Sequence, residues 1–431
     1  MSRPLGLVPP GTVAVGGGLV ILGLASYVYL AIAGHTLDTA GMSSVAVLWS
    51  IAFAVGPGLF FPIEQEITRL VAGRAVRGDG AGPVLSRGAL LAAAILAALL
   101  LVLFAAAEPL ARRLFDGDTE MVWVLAGAFV GLALAHTTRG VLAGTGAFGW
   151  YGAQLSVDGA LRMGIAAVLG ASGVDSPVWF GLVLVISPIA SVLVTVPAVI
   201  SRASPGANVI WLDLCRGLGL LTVTALLSQL LVNIAVVDVR LLAPADVASA
   251  AALLSALVLV RVPLFLFASL QASLLSGLST AVASGDRRTY RHLLTRTLSV
   301  VTALGVIGIG VVITAGPWLT VRLFDAPDVL GRADFGWLGF GTLAYLWAMV
   351  LGQGVLALGR HRDQALAWVL GIAVLAAVTL APGDVVTRVE VGYAVGAFVV
   401  AVTLAVVLAR TESRPWHRTA LSAAIAVGDR P

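Results

Sequence analysis

VASAAALLSALVLVRVPLFLFASL, running from Val247 to Leu270, is apolar throughout except for a few small residues and one full charge, Arg261. Read as a helix rising 1.5 Å per residue, it places Arg261 roughly 20 Å from one end and roughly 14 Å from the other. That is too deep for comfortable snorkelling to a headgroup. An arginine at the centre of a span costs roughly 2.5–3.5 kcal/mol on insertion scales, so it is expected to face the protein interior or a wet cavity. Pro263 follows two residues later and predicts a local kink at the same depth. Two roles stay open for the charge: a structural arginine satisfied by neighbouring carbonyls, or an anion-binding group in a transport path.

The rest of the chain has the same character. Its 431 residues are 59% hydrophobic and 11% charged, and the mean hydropathy is +1.02. Such a composition excludes a soluble globular protein and indicates a polytopic helical membrane protein. The apolar runs are long and continuous, which excludes an outer-membrane barrel. All 26 basic residues are arginine. One cysteine, Cys215, permits no internal disulfide, and no Cys/His cluster resembles a metal site. The first apolar run, after Arg3, resembles a signal peptide with Ala31-Ile32-Ala33 as its cleavage site. Its core is longer than usual, and it is read as a retained span.

Hydropathy predicts twelve spans, near 13–33, 45–62, 88–106, 121–138, 152–172, 178–199, 216–236, 247–270, 297–316, 335–358, 366–381 and 389–409. With the N-terminus in the cytoplasm, Arg112, Arg113, Arg240, Arg322, Arg332 and Arg388 lie outside, Arg162 and Arg261 lie within spans, and the other 18 arginines are cytoplasmic. That bias predicts a multi-pass protein of the cytoplasmic membrane with both termini inside, and it gives the basic balance a reason other than nucleic-acid binding. The loops leave no room for an external domain.

Three landmarks recur in order. Gly78-Asp79 and Gly285-Asp286 close the loops after spans 2 and 8. Leu114-Phe115-Asp116 and Leu323-Phe324-Asp325 follow spans 3 and 9. Gly140-Val141-Leu142-Ala143 and Gly354-Val355-Leu356-Ala357 accompany spans 4 and 10. The offsets are 207, 209 and 214 residues, which predicts a six-helix unit written twice. With an even number of spans per half, the repeats are parallel. Transporters built so hold substrate between the halves near the midplane and rock one half against the other. The expected domains are an N-terminal lobe over 1–200, a linker over 201–215, a C-terminal lobe over 216–409 and a basic tail over 410–431. The tail's apolar stretch Ala420–Val427 is too short to cross a bilayer.

Phe61-Pro62-Ile63-Glu64-Gln65-Glu66-Ile67-Thr68-Arg69, leaving span 2, is similar to the segment that polysaccharide-biosynthesis members of the MOP superfamily carry there. Arg139-Gly140-Val141-Leu142-Ala143-Gly144-Thr145-Gly146 resembles the Arg-Gly-x-Leu-x-Gly turn of that superfamily. The second half departs from the pattern, with Gln353 in the arginine place and Leu358 for the second glycine. The resemblance covers roughly residues 10 to 410 and implies an all-α membrane fold, two parallel six-helix repeats around a central cavity. It implies a flippase of polyprenyl-linked saccharides, with multidrug/toxin extruders as cousins, and cavity arginines that include one in the eighth helix, where Arg261 stands. Flippases of peptidoglycan precursor carry two further spans, which sets that subgroup aside. The implied partners are a polyprenyl-linked saccharide, membrane lipids and other membrane proteins of polysaccharide assembly. No cofactor is implied, and coupling to a proton or sodium ion stays open.

A flippase must move a phosphate and a saccharide across roughly 30 Å of hydrocarbon, which asks for cationic donors in a polar path. Arginine suits this, because its planar fork binds phosphate oxygens in pairs and stays charged at any depth. Asp158 and Arg162 in span 5 are four apart on one helix face, with Gln154 one turn earlier. They form either a closed structural ion pair or a charge pair that opens during transport. If merely structural, the pair should tolerate exchange of its two charges. Gln229 and Asn233 in span 7 are read as helix-joining amides or as donors to sugar hydroxyls. Glu64, Glu66 and Arg69 stand where span 2 meets the cytoplasm, as interfacial charges or as a gate. His136 and Arg139 are expected on a solvated loop face. Tyr27, Tyr29 and Trp49 are read as packing, as interface anchors or as cavity lining.

Two further functions compete. An extruder of amphiphilic cations would want acids in its cavity, which Arg261 opposes. A membrane-embedded polymerase or ligase needs an external loop with catalytic groups. The longest such loop offers Asp325, Asp328 and Asp334 but no histidine. No Gly-x-x-x-x-Gly-Lys-Ser/Thr loop exists, so nucleotide drive is not expected of this chain.

Overall fold

The computed structural model describes residues 12–76, 78–215 and 218–412; the leader-like start at Arg3, the basic tail with Ala420–Val427, and Arg77 and Arg216 lie outside them. The described residues are helical or in short connections, with no strand among them. Clustering of contacts divides the chain into two compact units, Met1–Leu226 and Leu227–Pro431. The first holds α1 (Thr12–Thr36), α2 (Thr39–Val76), α3 (Gly82–Ala105), α4 (Ala107–Leu114), α5 (Thr119–Gly144), α6 (Phe148–Ala171), α7 (Pro177–Ile200) and α8 (Trp211–Cys215). The division falls inside α9 (Leu218–Asn233). The second unit continues with α10 (Ala235–Leu242), α11 (Val247–Val260), α12 (Val262–Ala283), α13 (Arg287–Phe324), α14 (Arg332–Ala357), α15 (His361–Thr379) and α16 (Val385–Glu412).

Nine of these helices are long and apolar enough to cross a bilayer. The remaining three expected spans depart from a plain apolar helix, each for a visible reason. The first is α6, which carries Asp158 and Arg162. The second is α9–α10, bent by 61° at Ile234. The third is the stretch from Val247 to Leu270, which belongs to two helices. Arg261 is at once the C-cap of α11 and the N-cap of α12. The Arg261 N–H reaches back only to the Val258 carbonyl, at 3.3 Å, and Pro263 sits in the first turn of α12. In a first turn the missing N–H of proline leaves nothing unsatisfied, so the proline starts a helix rather than kinking one.

Outward faces confirm the solvent. Leu101, Val102 and Phe104 on α3 and Ile307 on α13 are each more than 60% exposed, an arrangement suited to lipid rather than water. This is a multi-pass membrane protein. Inside each unit the helices pair through glycines, as expected where lipid removes the hydrophobic drive and close backbone approach gives the attraction. A Cβ on Gly152 would lie 2.2 Å from the Ala14 carbonyl oxygen of α1. In the second unit, Gly371 of α15 and Gly396 of α16 meet backbone to backbone, each with the other's carbonyl 2.9 Å from where a Cβ would stand.

The repeat is visible in backbone geometry within each unit. Gly78 and Gly285 both have positive φ, at 75° and 70°. Each is followed by an aspartate whose N–H bonds five residues back, Asp79 to Arg74 and Asp286 to Ala281. Asp116 and Asp325 are the two non-glycine residues with positive φ among those described, at 52° and 48°. The phenylalanine before each is buried. The third landmark is a correction. Arg139 to Gly144 do not form a turn after span 4; they are the last residues of α5. Their glycines are contact points. A Cβ on Gly140 would meet Ile67 Cβ at 2.8 Å and the Glu64 carbonyl oxygen at 2.9 Å, and one on Gly144 would meet Val71 Cβ at 2.6 Å. Likewise α2 runs on to Val76, so the segment Phe61–Arg69 is helical throughout.

Candidate functional site

The close seam between α2 and α5 brings an unbroken set of polar side chains into the interior of the first unit. Asp158 of α6 lies 3.1 Å from Arg162 Nη2 and 3.6 Å from Arg139 Nη2. One carboxylate thus serves two guanidiniums, and all three side chains are under 10% exposed. Arg162 also lies over the rings of Trp49 and Phe53, 5.7 and 5.8 Å from their centroids, a cation–π arrangement. Its Nη1 is 3.5 Å from the Ser26 hydroxyl. Gln154 donates to the Thr138 hydroxyl at 3.0 Å. On the α2 side, Glu64 takes His136 Nδ1 at 2.6 Å and the Tyr151 hydroxyl at 2.7 Å. With the imidazole counted as neutral, two carboxylates, Glu64 and Asp158, balance two guanidiniums, Arg139 and Arg162.

Several sequence expectations change here. His136 and Arg139 are not on a solvated loop; both are buried, because α5 continues past them and packs on α2. Glu64 is buried within the polar set rather than interfacial, and Glu66 is buried while pairing with the exposed Arg69. Tyr29 is fully buried, stacked on Trp49, and donates to the Phe180 carbonyl at 2.8 Å, which makes it packing.

The second unit holds a different site. A hydrogen bond joins the break between α9 and α10 to the break between α11 and α12: Arg261 Nη1 donates to Asn233 Oδ1 at 3.1 Å. Asn233 in turn donates to the Gln229 carbonyl at 2.9 Å and to its side-chain oxygen at 3.3 Å. The Tyr393 hydroxyl of α16 is within hydrogen-bonding reach of the Arg261 guanidinium and pairs with Thr342 at 3.1 Å. Tyr345 of α14 is near enough to feel the same charge and bonds Ser228. An amide and two phenols thus lie about this half-buried guanidinium. Helix breaks at membrane depth are tolerated where protein or a water-filled path satisfies the freed backbone.

Sequence reasoning missed Glu390 altogether. It lies in the second turn of α16, is 0% exposed, and neither carboxylate oxygen meets a hydrogen-bond donor. The carboxyl of Asp334, in the first turn of α14, is within hydrogen-bonding reach. The signal available was an acid within two residues of the expected start of span 12.

The fold has known counterparts. An inward-facing multidrug resistance MATE family transporter of the MOP superfamily superposes with a TM-score of 0.72, at 13% identity, covering 89% of this chain and 92% of its own. The chain has the MATE fold. A eukaryotic MATE transporter gives a TM-score of 0.69 at 15% identity with 97% of each chain covered. A Vibrio cholerae MATE transporter gives 0.68 at 17% identity, covering 94% of this chain and 96% of its own. By sequence, the chain is 27% identical over 404 residues to an uncharacterized protein of Mycobacterium tuberculosis, covering 90% of this chain and 89% of that one. A second uncharacterized protein of the same organism is 27% identical over 421 residues, with 94% of each covered. No family model matches the chain. Arg261 and the Asp158 set lie in separate units of the chain.

Proposed function

We propose that this chain is a transporter of the cytoplasmic membrane, not an enzyme, and that it flips a polyprenyl-(pyro)phosphate-linked saccharide from the inner to the outer leaflet for cell-surface polysaccharide assembly. The observation that carries the reading is Arg261. In the first unit, Arg139 and Arg162 share the Asp158 carboxylate. Arg261 stands at a helix break, bonded to an amide and close to two phenols. A guanidinium placed so keeps its attraction for an anion, and its fork suits a phosphate. Gln229 and Asn233, joined to it, supply amides for saccharide hydroxyls or for the bound phosphate. Glu64, Glu66 and Arg69 at the α2–α5 seam are assigned to gating. The MATE fold supports transport, and the multidrug resistance neighbour supports a second reading, export of amphiphilic cations.

Deleting the gene should trap a lipid-linked saccharide on the cytoplasmic leaflet, identifiable by mass spectrometry of extracted lipids. Arg261→Ala should reproduce the accumulation at normal protein level, and Arg261→Lys should relieve it in part. Full export by Arg261→Ala would overturn the anion site. Sensitivity of the deletion strain to amphiphilic cations, without trapped saccharide, would select the extruder.

A further inference from the structure

The flipping reading leaves Glu390 unused. A carboxylate in a dry interior is costly unless it is paired or hydrogen-bonded, and Glu390 has no donor. Its neighbour Asp334 is another acid, and the charges Glu390 feels, those of Asp334 and Asp384, are both negative. The helices packed on α16 are α14, α15 and α10. On α14, besides Asp334, Arg332 is exposed. On α15, His361, Arg362 and Asp363 lie in the first turn, at the end away from Glu390's side of the membrane in the expected topology, with Asp363 paired to Arg360. On α10, Asp238 is a further acid, and Arg240 donates to the Pro244 carbonyl at 2.7 Å. On α16 itself, Arg388 donates to the carbonyls of Ala381 and Asp384.

Asp334 Oδ2 accepts the Gly331 N–H at 2.6 Å, whereas Glu390 has no donor, and a carboxyl so placed beside a second is satisfied when one proton lies between the two. We propose that Glu390 and Asp334 form a proton-binding site on the second unit, holding one proton between them, and that its occupancy sets the anion affinity of Arg261. The link is geometric. Glu390 and Tyr393 are three apart on α16 and share a face. The Tyr393 ring packs where a side chain on Gly341 of α14 would stand, 2.6 Å from that Cβ position. Its hydroxyl reaches Arg261. The shared proton therefore closes the α14–α16 seam one turn from the residue that touches the guanidinium. Loss of the proton sets two like charges across that seam and adds negative charge to the neighbourhood of the anion. A metal cation is a poorer occupant, since a hard ion wants about six oxygens. Among the described residues no group of three or more His, Cys, Asp or Glu is placed to hold one.

This rests on the anion-site reading, so the test has two arms, both on the full chain in nanodiscs of phosphatidylethanolamine and phosphatidylglycerol. Infrared difference spectra between neutral and alkaline pH read the proton directly. The wild type should lose the C=O stretch of a protonated carboxyl on alkalinisation, and both Glu390→Gln and Asp334→Asn should lack that change. A wild-type signal retained in both variants, or a sodium-dependent signal in its place, would overturn the site. The second arm measures binding of geranyl pyrophosphate. Because the probe also gains charge with pH, the readout is the wild-type Kd divided by that of Glu390→Gln at each pH. The ratio should rise by about fivefold between neutral and alkaline conditions, a typical size for coupling between sites. A flat ratio overturns the link to Arg261. Absence of binding to the wild type at any pH would count against the phosphate site, while the infrared arm would still decide the proton.

Discussion

Removing Asp158 is the perturbation whose consequence the structure fixes most tightly. At an effective dielectric of about 20, each of its contacts, 3.1 Å to Arg162 and 3.6 Å to Arg139, is worth about 5 kcal/mol of Coulomb attraction before desolvation. Asp158→Asn keeps the shape and deletes the charge, leaving two buried guanidiniums facing each other and a neutral amide. Breaking a buried pair by removing one partner costs about 3–5 kcal/mol, and with two cations stranded the upper end applies. For a unit of this size a kcal/mol moves Tm by roughly 2–4 °C, so Asp158→Asn should lower Tm by about 10–20 °C. Thermal unfolding in detergent, followed by tryptophan fluorescence, measures it. Arg162→Gln should cost less, since Arg139 and Asp158 remain as a balanced pair. An Asp158→Asn protein melting within about 2 °C of wild type would refute the shared-carboxylate account. The exchange Asp158→Arg with Arg162→Asp, a fair test of an isolated pair, is not one here, because the new guanidinium meets Arg139. The replacement Arg139→Met, Asp158→Leu, Arg162→Met is fairer. Apolar side chains of similar volume should recover most of the stability, and transport measured in that variant then tells whether the charges do anything besides hold the helices.

Gly140→Ala should destabilise by about 1–3 kcal/mol, because the added carbon meets Ile67 and the Glu64 carbonyl at under 3 Å; an unchanged Tm would show that the α2–α5 seam can open. Asp384 caps α16 through the N–H and hydroxyl of Thr387, which hold its carboxyl below the ordinary carboxylate range. Its contribution is therefore complete above that range and lost as pH falls through its own lowered value. Asp384→Ala should cost about 1 kcal/mol at pH 7, with the difference in Tm from wild type shrinking at strongly acid pH. Asp286, whose carboxyl Thr289 holds down in the same way at the start of α13, should give the same direction of pH dependence.

What could be read from the chain beforehand divides by the kind of physics involved. Arg261 was conspicuous because a lone charge in 24 apolar residues has no cheap explanation. The break around it was not, since Pro263 in a continuous apolar run looks the same whether it bends one helix or begins another. His136 and Arg139 were misplaced because hydropathy ends a span at its first polar residues, whereas α5 continues for as long as α2 offers a surface. The glycines of Arg139–Gly146 suggest a turn, their usual meaning in water; in lipid Gly140 and Gly144 mark where two helices touch. Glu390 escaped notice because an acid beside a span boundary normally faces water, and only the packing of α14 on α16 removes it. The landmarks of the repeat fared better. Gly78 and Gly285, and more tellingly Asp116 and Asp325, owe their recurrence to a left-handed backbone that few residues accept.

The joint at Arg261 also bears on how the protein is made. Its upstream piece, Val247–Val260, is about 21 Å long, too short to cross a bilayer by itself. A newly synthesised chain released into lipid at that point would carry an unsheltered guanidinium and open backbone groups. Shelter comes from Asn233, made 28 residues earlier on a helix that is itself bent. Asn233 is therefore already made when Arg261 leaves the ribosome, so its amide is at hand when the guanidinium meets the membrane.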